Sequence, residues 1–292
     1  MAEKAVGFAA TPASCLVCDG DQLEPLYAGL LKCRRCAFVT ADVSLSDAEL
    51  AQLYGPGYFS WGEYHDYLGD QDVLRRNFRL RFDALRPLLD PARHRRLLEI
   101  GCGYGLFLDV VRDAFTHVEG VDVADEATRY ARRELGLDVR HGDFLESSFD
   151  AHPFDVVCLW DTIEHLGRPD RYLEKIQALT LPGALVAITT GDIASINARV
   201  RRGRWRLIHP PTHLHYFSRR TLTRLLDRFG FDVIYCRYSG SWRSTRFATH
   251  SVLVLRHGWK RLFEALDRSA AARFPFYLNM FDIMYVIARR RR

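Results

Sequence analysis

The stretch Leu97-Leu98-Glu99-Ile100-Gly101-Cys102-Gly103-Tyr104-Gly105-Leu106-Phe107 decides the fold. It is an apolar run that continues directly into three alternating glycines, Gly101, Gly103 and Gly105, and then into a predicted helix. Glycine is needed at such a junction because the chain must turn tightly and let a ligand lie against bare backbone. The stretch therefore predicts a strand, a ligand-binding turn and a helix in succession.

Further short apolar runs follow this stretch. They cover residues 97–100, 118–123, 156–160 and 185–189, and helical patterns alternate with them. Two more strands are expected at 231–238 and 281–288, with a helical insert near 242–276 between them. Alternation of strand and helix predicts a parallel sheet with helices on both faces. We therefore expect an α/β fold in which residues 95–292 form a Rossmann-like, seven-stranded, mostly parallel sheet.

Acidic and aromatic residues stand where the predicted strands end. Asp122 closes the second apolar run, and Asp143 lies 21 residues further on, at the expected end of the next strand. Trp160 and Asp161 end the third apolar run, which is then the fourth strand. Open α/β sheets bind ligands at the carboxyl ends of their strands. A carboxylate that accepts two hydrogen bonds is a good ligand for a ribose diol. These strand ends are therefore the expected ligand site.

The glycine spacing identifies a family. A dinucleotide site has Gly-x-Gly-x-x-Gly, whereas this turn is Gly-x-Gly-x-Gly preceded by Glu99, and it resembles the first motif of the class I S-adenosylmethionine-dependent methyltransferases. The resemblance, which runs from about Tyr54 to Arg289, implies Asp122 on the ribose hydroxyls, Asp143 at the adenine amino group and Phe144 beside the ring. The cofactor-binding residues implied are Tyr58, Glu99, Gly101, Gly103, Gly105, Asp122, Val123, Asp143, Phe144 and Trp160.

Two Cys-x-x-Cys pairs stand near the N-terminus. Cys15 and Cys18 form the first pair, Cys33 and Cys36 form the second, and 14 residues separate the pairs. This spacing is typical of a four-cysteine zinc ribbon, in which four thiolates close a tetrahedral site without an open position for catalysis. We predict a structural zinc within a leader and zinc-binding module over residues 1–41. The metal is expected to stabilise a unit too small for a sufficient core of its own.

Residues 42–94 connect the module to the α/β domain. The stretch from Gly55 to Gly69 is rich in glycine and aromatic residues and predicts a loop, whereas apolar positions recur at helical spacing from Asp70 to Leu89. We expect an aromatic entry segment that includes Tyr58, followed by a helix. The two together are expected to act as a lid.

The first candidate for the acceptor side is the cluster Asp161-Thr162-Ile163-Glu164-His165. It resembles the acid-x-x-Glu-His segment of the ubiquinone-biosynthesis O-methyltransferases. The resemblance implies a Mg²⁺ site formed by Asp161, Glu164 and His165 near the acceptor. The alternative is a structural role, in which the same residues form a helix cap and a buried hydrogen bond.

The second candidate is the segment His209 to Ser218, which precedes a helix capped by Ser218. It resembles the His-Leu-x-Tyr-Phe-Ser segment of bacterial methyltransferases found with polysaccharide and antibiotic-sugar pathways. This resemblance implies a sugar hydroxyl as acceptor, with sugar C-methylation as a near variant. Histidine is a natural general base near neutral pH, and His213 is the preferred base or acceptor ligand. The predicted catalytic residues are therefore His213, His165 and Asp161.

The net charge is +5, and the stretch from Arg199 to Arg224 holds eight arginines and no acidic residue. Arginines from Arg199 to Arg206 are candidates for clamping the diphosphate of a nucleotide sugar or lipid carrier, and Trp205 or Trp61 for a flat face under a sugar ring. A solvated basic face is the alternative. The expected partner is a small-molecule or glycan acceptor, on a nucleotide-linked, lipid-linked or natural-product glycoside.

Two other function classes compete with this reading of the sequence. An RNA base methyltransferase is one, because a four-cysteine ribbon before a Rossmann-like domain also resembles the ribosomal-RNA guanine methyltransferases. The small basic excess and the lack of an Asn-Pro-Pro-aromatic tetrad at Asp161 to Glu164 disfavour nucleic acid. A binding protein that keeps the fold without chemistry is the other, and the intact glycine turn disfavours it.

The composition indicates an ordinary globular chain, and the sequence predicts a cytoplasmic location. No apolar run approaches the roughly 20 residues of a transmembrane helix, and the N-terminus lacks a secretory signal pattern. In the insert, an apolar stripe that includes Trp259 and Leu266 favours packing, with a peripheral membrane or dimer contact as the alternative. The pattern leaves the oligomeric state open.

Overall fold

The computed structural model describes residues 14–43, 49, 67–150, 152–250, 253, 258–267 and 274–292. The described residues form a seven-stranded sheet, a four-stranded sheet and a two-stranded ribbon. The helices are α1 (Gln71–Leu85), α2 (Leu106–Val111), α3 (Asp125–Arg133), α4 (Pro169–Ala178), α5 (Ile196–Arg201), α6 (Arg219–Arg228), α7 (Thr245–Thr249) and α8 (Lys260–Asp267).

The seven-stranded sheet is the centre of the molecule. Its strands are β4 (Arg96–Ile100), β5 (His117–Asp122), β6 (Asp138–His141), β7 (Phe154–Trp160), β8 (Thr180–Gly191), β10 (Phe231–Tyr238) and β13 (Ile283–Arg290). The strand order is β10-β13-β8-β7-β4-β5-β6. Strands β4 to β8 are parallel, and β13 runs antiparallel to both of its neighbours. The predicted Rossmann-like, mostly parallel sheet with helices is confirmed.

Different helices cover the two faces of this sheet. On β7, Val157 and Leu159 belong to one buried cluster, whereas Val156 and Cys158 belong to the other, because successive side chains of a strand point to opposite faces. Helices α1, α2 and α3 pack on the face of Val156, and helices α4 and α6 pack on the face of Val157. This burial on both faces explains why the strands are apolar throughout.

The N-terminal cysteine module shares a sheet with the larger domain. Its own strands are β1 (Leu23–Pro25), β2 (Leu30–Cys33) and β3 (Val39–Ala41), and the fourth strand is β9 (His215–Tyr216). Thr40 pairs with His215 across the antiparallel β3–β9 ladder. Val17 and Phe38 of the module also lie in the same buried cluster as Phe217 of the larger domain. The module therefore rests directly on the segment that carries the predicted base.

The insert differs from the predicted helical segment. Its arms are two strands, β11 (Ser241–Ser244) and β12 (Pro275–Leu278), which pair antiparallel, and helices α7 and α8 lie between them. The side-chain amide of Asn77 on α1 exchanges two hydrogen bonds with the backbone of Trp242, at 2.6 and 3.0 Å. This contact fixes the ribbon against α1.

In the stripe of the insert, Phe263 is buried, whereas Trp259, Leu262 and Leu266 are exposed. Among the residues described, no helix combines the length and the apolar composition that crossing a membrane requires.

Candidate cofactor and acceptor site

The glycine turn between β4 and α2 is a tightly packed left-handed segment. The φ angles of Gly101, Gly103 and Gly105 are +73°, +50° and +73°, which a residue with a Cβ adopts only with strain. A Cβ at Gly101 would lie 2.6 Å from Thr162 Oγ1, and one at Gly105 would lie 2.7 Å from Leu137 Cδ1. The turn therefore needs glycine both for its conformation and for the close approach of its neighbours.

Asp122, at the end of β5, holds this turn in place. One carboxylate oxygen accepts a hydrogen bond from the Gly103 N–H at 2.7 Å, and the other accepts from the Ala124 N–H at 2.8 Å. Burial raises the pKa of Asp122, and these two N–H groups counteract the rise. Each oxygen has a second lone pair. The carboxylate can therefore fix the turn and still accept from a diol.

Glu99 lies behind the glycine turn with only 2% of its surface exposed. Burial raises the pKa of Glu99 well above its ordinary value, the charge of Asp122 adds to the rise, and Arg81 opposes it. Its Oε2 atom has no hydrogen-bond partner among the described residues. A buried carboxylate oxygen without a partner is unfavourable, so the position suits a ligand that brings a donor or a positive charge.

The predicted adenine corner is only partly as expected. Asp143 is exposed, and its Oδ1 accepts from the Leu145 N–H at 2.8 Å and from the Tyr172 hydroxyl at 2.7 Å. Phe144 is 2% exposed and packs against Phe149 and Tyr172. Its ring is therefore part of the core and does not offer a face to a nucleobase, contrary to the expectation for Phe144.

Val123 follows Asp122 directly at the end of β5. Its side chain is 44% exposed. In the described part of this corner, the Val123 side chain therefore provides apolar surface for a nucleobase. The family resemblance implied the ring of Phe144 for that role. Tyr58 and the rest of the predicted entry segment, residues 50–66, lie outside the described residues.

Trp160 and Asp161 end strand β7 in different roles. The Trp160 ring is buried and packs edge-on against Phe107 and Tyr285, with centroid distances of 5.0 and 5.4 Å. It forms part of the floor under the site. The Asp161 carboxylate forms an ion pair with Arg81 of α1, at 2.5 Å between Oδ2 and Nη2.

The Arg81–Asp161 ion pair keeps the carboxylate at the end of β7 ionised. Although burial opposes it, the charge and the hydrogen bond of Arg81 hold the pKa of Asp161 below its ordinary value. Sequence reasoning did not single out Arg81, because one arginine among several on an amphipathic helix carries no distinguishing pattern. The contact spans 80 positions in the chain.

The two segments that the sequence suggested for the acceptor side, Asp161–His165 and His209–Ser218, contribute side chains to one group. Side-chain ligand atoms of Glu164, His165 and His213 all lie within 4.8 Å of one another, and the His165 and His213 rings meet edge to face at 4.6 Å. The Glu164 carbonyl accepts hydrogen bonds from the N–H groups of Leu214 and His215, at 2.9 and 3.1 Å. The loop that carries His213 is therefore joined to the end of β7.

This arrangement corrects the Mg²⁺ site expected from Asp161, Glu164 and His165. Asp161 is not a member of the converging group, because its carboxylate pairs with Arg81. His213 completes the group instead. Two imidazoles and one carboxylate suit transition metals better than Mg²⁺, which prefers oxygen ligands.

Backbone carbonyls fix the orientation of both imidazoles. His165 Nδ1 lies 2.8 Å from the Thr212 carbonyl, and His213 Nδ1 lies 2.9 Å from the Leu207 carbonyl. A carbonyl can only accept, so each Nδ1 carries a proton and the lone pair of each neutral ring is on Nε2. Both rings are thereby oriented as proton acceptors or metal ligands.

The arginine stretch and Trp205 are also placed differently from the prediction. The Arg206 guanidinium bonds to Asp282 at 2.8 Å, and the buried Trp205 donates its Nε1–H to the same carboxylate at 2.9 Å. Arg201 donates to Asn197 on its own helix at 2.8 Å. Arg206 is therefore committed to an ion pair, and Trp205 is a core residue that offers no face to a sugar.

The four N-terminal cysteines converge as the spacing predicted. Cys15 Sγ lies 3.5 Å from Cys36 Sγ, and Cys18 Sγ lies 3.6 Å from Cys33 Sγ. All four thiols are buried and lie within 4.8 Å of one another. Sulfurs bound to one tetrahedral zinc at about 2.3 Å are separated by roughly 3.8 Å, so the geometry of the described cysteines is close to that of a zinc site.

Comparison with known proteins identifies the domain. A family model described as a methyltransferase domain matches residues 73–235, more than half of the chain. A "probable S-adenosylmethionine-dependent methyltransferase" of Mycolicibacterium smegmatis is 31% identical over 145 residues, 48% of this chain and 52% of that protein. The ubiquinone biosynthesis O-methyltransferase of Maricaulis maris is 34% identical over 108 residues, 34% of this chain and 42% of that protein. The chain thus spans about half the length of these curated relatives.

Solved structures share the fold. A chain of the complex between the Haloferax volcanii Trm112 methyltransferase activator and a methyltransferase aligns with a TM-score of 0.54 and 16% identity, covering 85% of this chain and 100% of that chain. An S-adenosylmethionine-dependent methyltransferase from Thermotoga maritima aligns with a TM-score of 0.50 and 16% identity, covering 80% and 98%. At these identities the likeness concerns the fold alone.

Proposed function

Because the chain belongs to the methyltransferase domain family, we propose that it transfers a methyl group from S-adenosylmethionine to an acceptor hydroxyl. The observation that carries the proposal is the convergence of Glu164, His165 and His213 at the strand end next to the glycine turn. In this proposal, the methyl donor binds at the strand ends beside the glycine turn, as expected for the family. The imidazoles of His165 and His213 act as the proton acceptor.

The residues around the glycine turn fit S-adenosylmethionine. The left-handed turn from Gly101 to Gly105 packs tightly against Thr162 and Leu137, so its shape is fixed, and its backbone carries no side chain that would cover a bound ligand. Asp122 has lone pairs for a ribose diol, and the buried Glu99 oxygen without a partner suits the cationic amino-acid end of the molecule. S-Adenosylmethionine supplies an electrophilic methyl group on a positively charged sulfur.

The histidine group is the proposed proton acceptor. The acceptor oxygen forms a bond to the methyl carbon, the bond from that carbon to sulfur breaks, and the sulfur leaves as a neutral thioether. His213 Nε2 takes the hydroxyl proton, with His165 as its neighbour on the same side. A positioned base of this kind contributes roughly 10² to 10⁴ in rate, and alignment of the reactants contributes about 7 to 11 kcal/mol.

We propose a sugar hydroxyl on a nucleotide-linked, lipid-linked or natural-product glycoside as the acceptor. The segment from His209 to Ser218, which resembles that of sugar-pathway methyltransferases, supports this choice because it carries His213. The naming of several relatives as ubiquinone biosynthesis O-methyltransferases supports transfer to oxygen in general.

A structural zinc completes the proposal. Cys15, Cys18, Cys33 and Cys36 would hold it, and four sulfur ligands leave it no open position for chemistry. Its effect on the reaction would be indirect, through β3 and β9, which connect the cysteine module to the His213 loop. Four thiolates committed to a metal favour a reducing compartment, and the cytoplasm is therefore the proposed location.

The test is transfer of label from methyl-labelled S-adenosylmethionine into fractionated host extract by the full chain. We expect label in a glycan or small-molecule fraction. His213→Ala should lower the rate at least about 100-fold and leave S-adenosylmethionine binding unchanged. His152→Ala, which removes an exposed histidine just before β7, is the matched control and should behave like the wild type. Label in RNA, or a normal rate in His213→Ala, would contradict the proposal.

A further inference from the structure

A cavity of about 860 Å³ lies among the second cysteine pair, α6, β10 and the segment after β8. Cys36 and Ala37 line it on the side of the module, and Asp192 lines it just beyond the carboxyl end of β8. It is distinct from the glycine turn and from the histidine group, none of whose residues line it. Its volume falls in the range of about 300 to 1,000 Å³ that is usual for small-molecule sites.

Four arginines line this cavity: Arg199, Arg219, Arg220 and Arg224. Within the described part of the chain, none of them forms an ion pair with a carboxylate. Arg224 is half-buried, and the other three are exposed. Three carboxylates also line the cavity, those of Asp192, Asp227 and Asp232, and the four guanidinium groups outnumber them by one.

The carboxylates that share the cavity contact groups other than the four arginines. Asp192 accepts hydrogen bonds from the Ala194 N–H and the Tyr238 hydroxyl, both at 2.8 Å. Asp227 and Asp232 both lie beside the Arg291 guanidinium, at 2.7 and 3.4 Å. Among the described residues no cation pairs with Asp192, so its charge remains in the cavity, whereas the four guanidinium groups stay available to bind an anion.

The N-terminus of α6 adds to the positive charge at the cavity. Arg219 and Arg220 occupy the first two positions after the N-cap Ser218, and the first turn holds no acidic residue. The N-terminus of a helix carries partial positive charge, so cations are disfavoured there and anions are favoured. Arg224 follows Arg220 by one turn and lies on the same side of the helix. The charge of Arg219 also acts inside the cavity, where it opposes the burial that raises the pKa of Tyr238.

We propose that this cavity binds the diphosphate group of a nucleoside diphosphate or its conjugate. Guanidinium groups bind phosphate oxygens through paired hydrogen bonds, and two linked phosphates match several arginines better than one does. The remaining volume can hold the nucleoside. The inference extends the proposed function, because a sugar acceptor carried on a nucleoside diphosphate would be held here, but diphosphate binding itself does not depend on methyl transfer.

The test is calorimetric titration of the full, zinc-loaded chain with inorganic diphosphate and with uridine diphosphate. We expect both to bind, uridine diphosphate more tightly, and Arg220→Ala/Arg224→Ala to weaken both by at least about 10-fold. Arg220→Lys/Arg224→Lys should be intermediate, because lysine keeps the charge without the paired hydrogen bonds. Arg79→Ala/Arg133→Ala removes the same charge from two exposed positions outside the cavity and should bind like the wild type.

Binding of S-adenosylmethionine, measured on the same samples, shows whether each variant is folded. Failure of the wild type to bind uridine diphosphate, or equal weakening in the Arg79/Arg133 control, would overturn the inference. Tighter binding of a short single-stranded RNA, lost in the Arg220/Arg224 variant, would assign the cavity to nucleic acid and also overturn it. Loss of methyl transfer with diphosphate binding intact would reject the proposed function alone.

Discussion

His215 shows how a single buried side chain makes stability depend on pH. The imidazole is 5% exposed, and its Nδ1 lies 3.1 Å from the Thr40 hydroxyl of the cysteine module. Burial lowers its pKa from 6.5 to about 4, because a charged ring is poorly solvated there. The folded protein therefore holds the neutral ring at a pH where the unfolded chain takes up a proton.

We predict that this histidine destabilises the fold in acid. The stabilisation that the neutral His215 ring gives the folded state is fully present above pH 6.5. It is lost as the pH falls toward 4, because the unfolded state then binds more protons than the folded state. At pH 4.5 the loss should be about 2 to 3 kcal/mol. Urea unfolding at pH 7.5 and 4.5 measures it, with His215→Gln as the comparison, since the variant shares every other acid-sensitive group. An equal pH dependence in wild type and variant would show that His215 contributes nothing.

Individual residues of the site differ in how far the sequence predicts them. The positions of Gly101, Gly103 and Asp122 follow from spacing, because a strand, a tight turn and a helix are local structures. The partner of Asp161 does not follow, because Arg81 approaches it from a helix 80 positions earlier. The family resemblance implies Phe144 beside the adenine ring, whereas the packing of Phe149 and Tyr172 buries it.

At the scale of elements, the pairing of β3 with β9 connects the cysteine module to the His213 loop. The Ala41 N–H and the Thr40 hydroxyl both donate to the Leu214 carbonyl, at 2.8 and 3.0 Å. Strands this short have few hydrogen bonds of their own. The module therefore depends on its cysteines, and the two-residue strand β9 depends on the module.

We predict that loss of one zinc ligand loosens the His213 loop. Cys33→Ser should reduce bound zinc well below one per chain and lower the melting temperature, by roughly 2 to 4 °C for each kcal/mol lost. Amide exchange at Leu214 to Tyr216 should become faster. Cys236→Ser is the control, because this half-buried cysteine of β10 lies outside the cysteine group and should leave the zinc content unchanged. Full zinc content in Cys33→Ser would show that the thiols hold no such metal.

Elements were predicted best where their pattern is local. Strands β4, β5, β7 and β8 and helix α1 follow from apolar runs and helical spacing. The β3–β9 ladder was not predicted, because its two strands are two or three residues long and 174 positions apart. The β11–β12 ribbon was missed for a similar reason, since its arms enclose about 30 residues and the pattern of α8 suggested a helix throughout.

At the scale of the whole molecule, the two predicted acceptor segments, Asp161–His165 and His209–Ser218, lie together. They do so because the cysteine module and the end of β7 both bond to the loop that carries His213. The Glu164 carbonyl bonds to the backbone of that loop from one side, and Thr40 bonds to it from the other. The fold thus brings His165 and His213 together at the end of β7, the strand that neighbours the one leading into the glycine turn. The basic cavity adjoins both parts, because Cys36 of the module and Ser218 at the end of the His209–Ser218 segment line it.

The most direct test of this account is titration of the full chain with S-adenosylmethionine. We predict that the wild type binds it and that Gly101→Ala binds at least about 10-fold more weakly, because a Cβ there would lie 2.6 Å from Thr162 Oγ1. Gly136→Ala is the matched control: its φ is also left-handed, at +63°, but a Cβ would meet no atom within 4 Å. Both variants should carry a similar backbone strain of about 1 to 2 kcal/mol, and only Gly101→Ala should lose affinity. A wild type that does not bind S-adenosylmethionine, or a Gly101→Ala variant that binds it normally, would contradict the account.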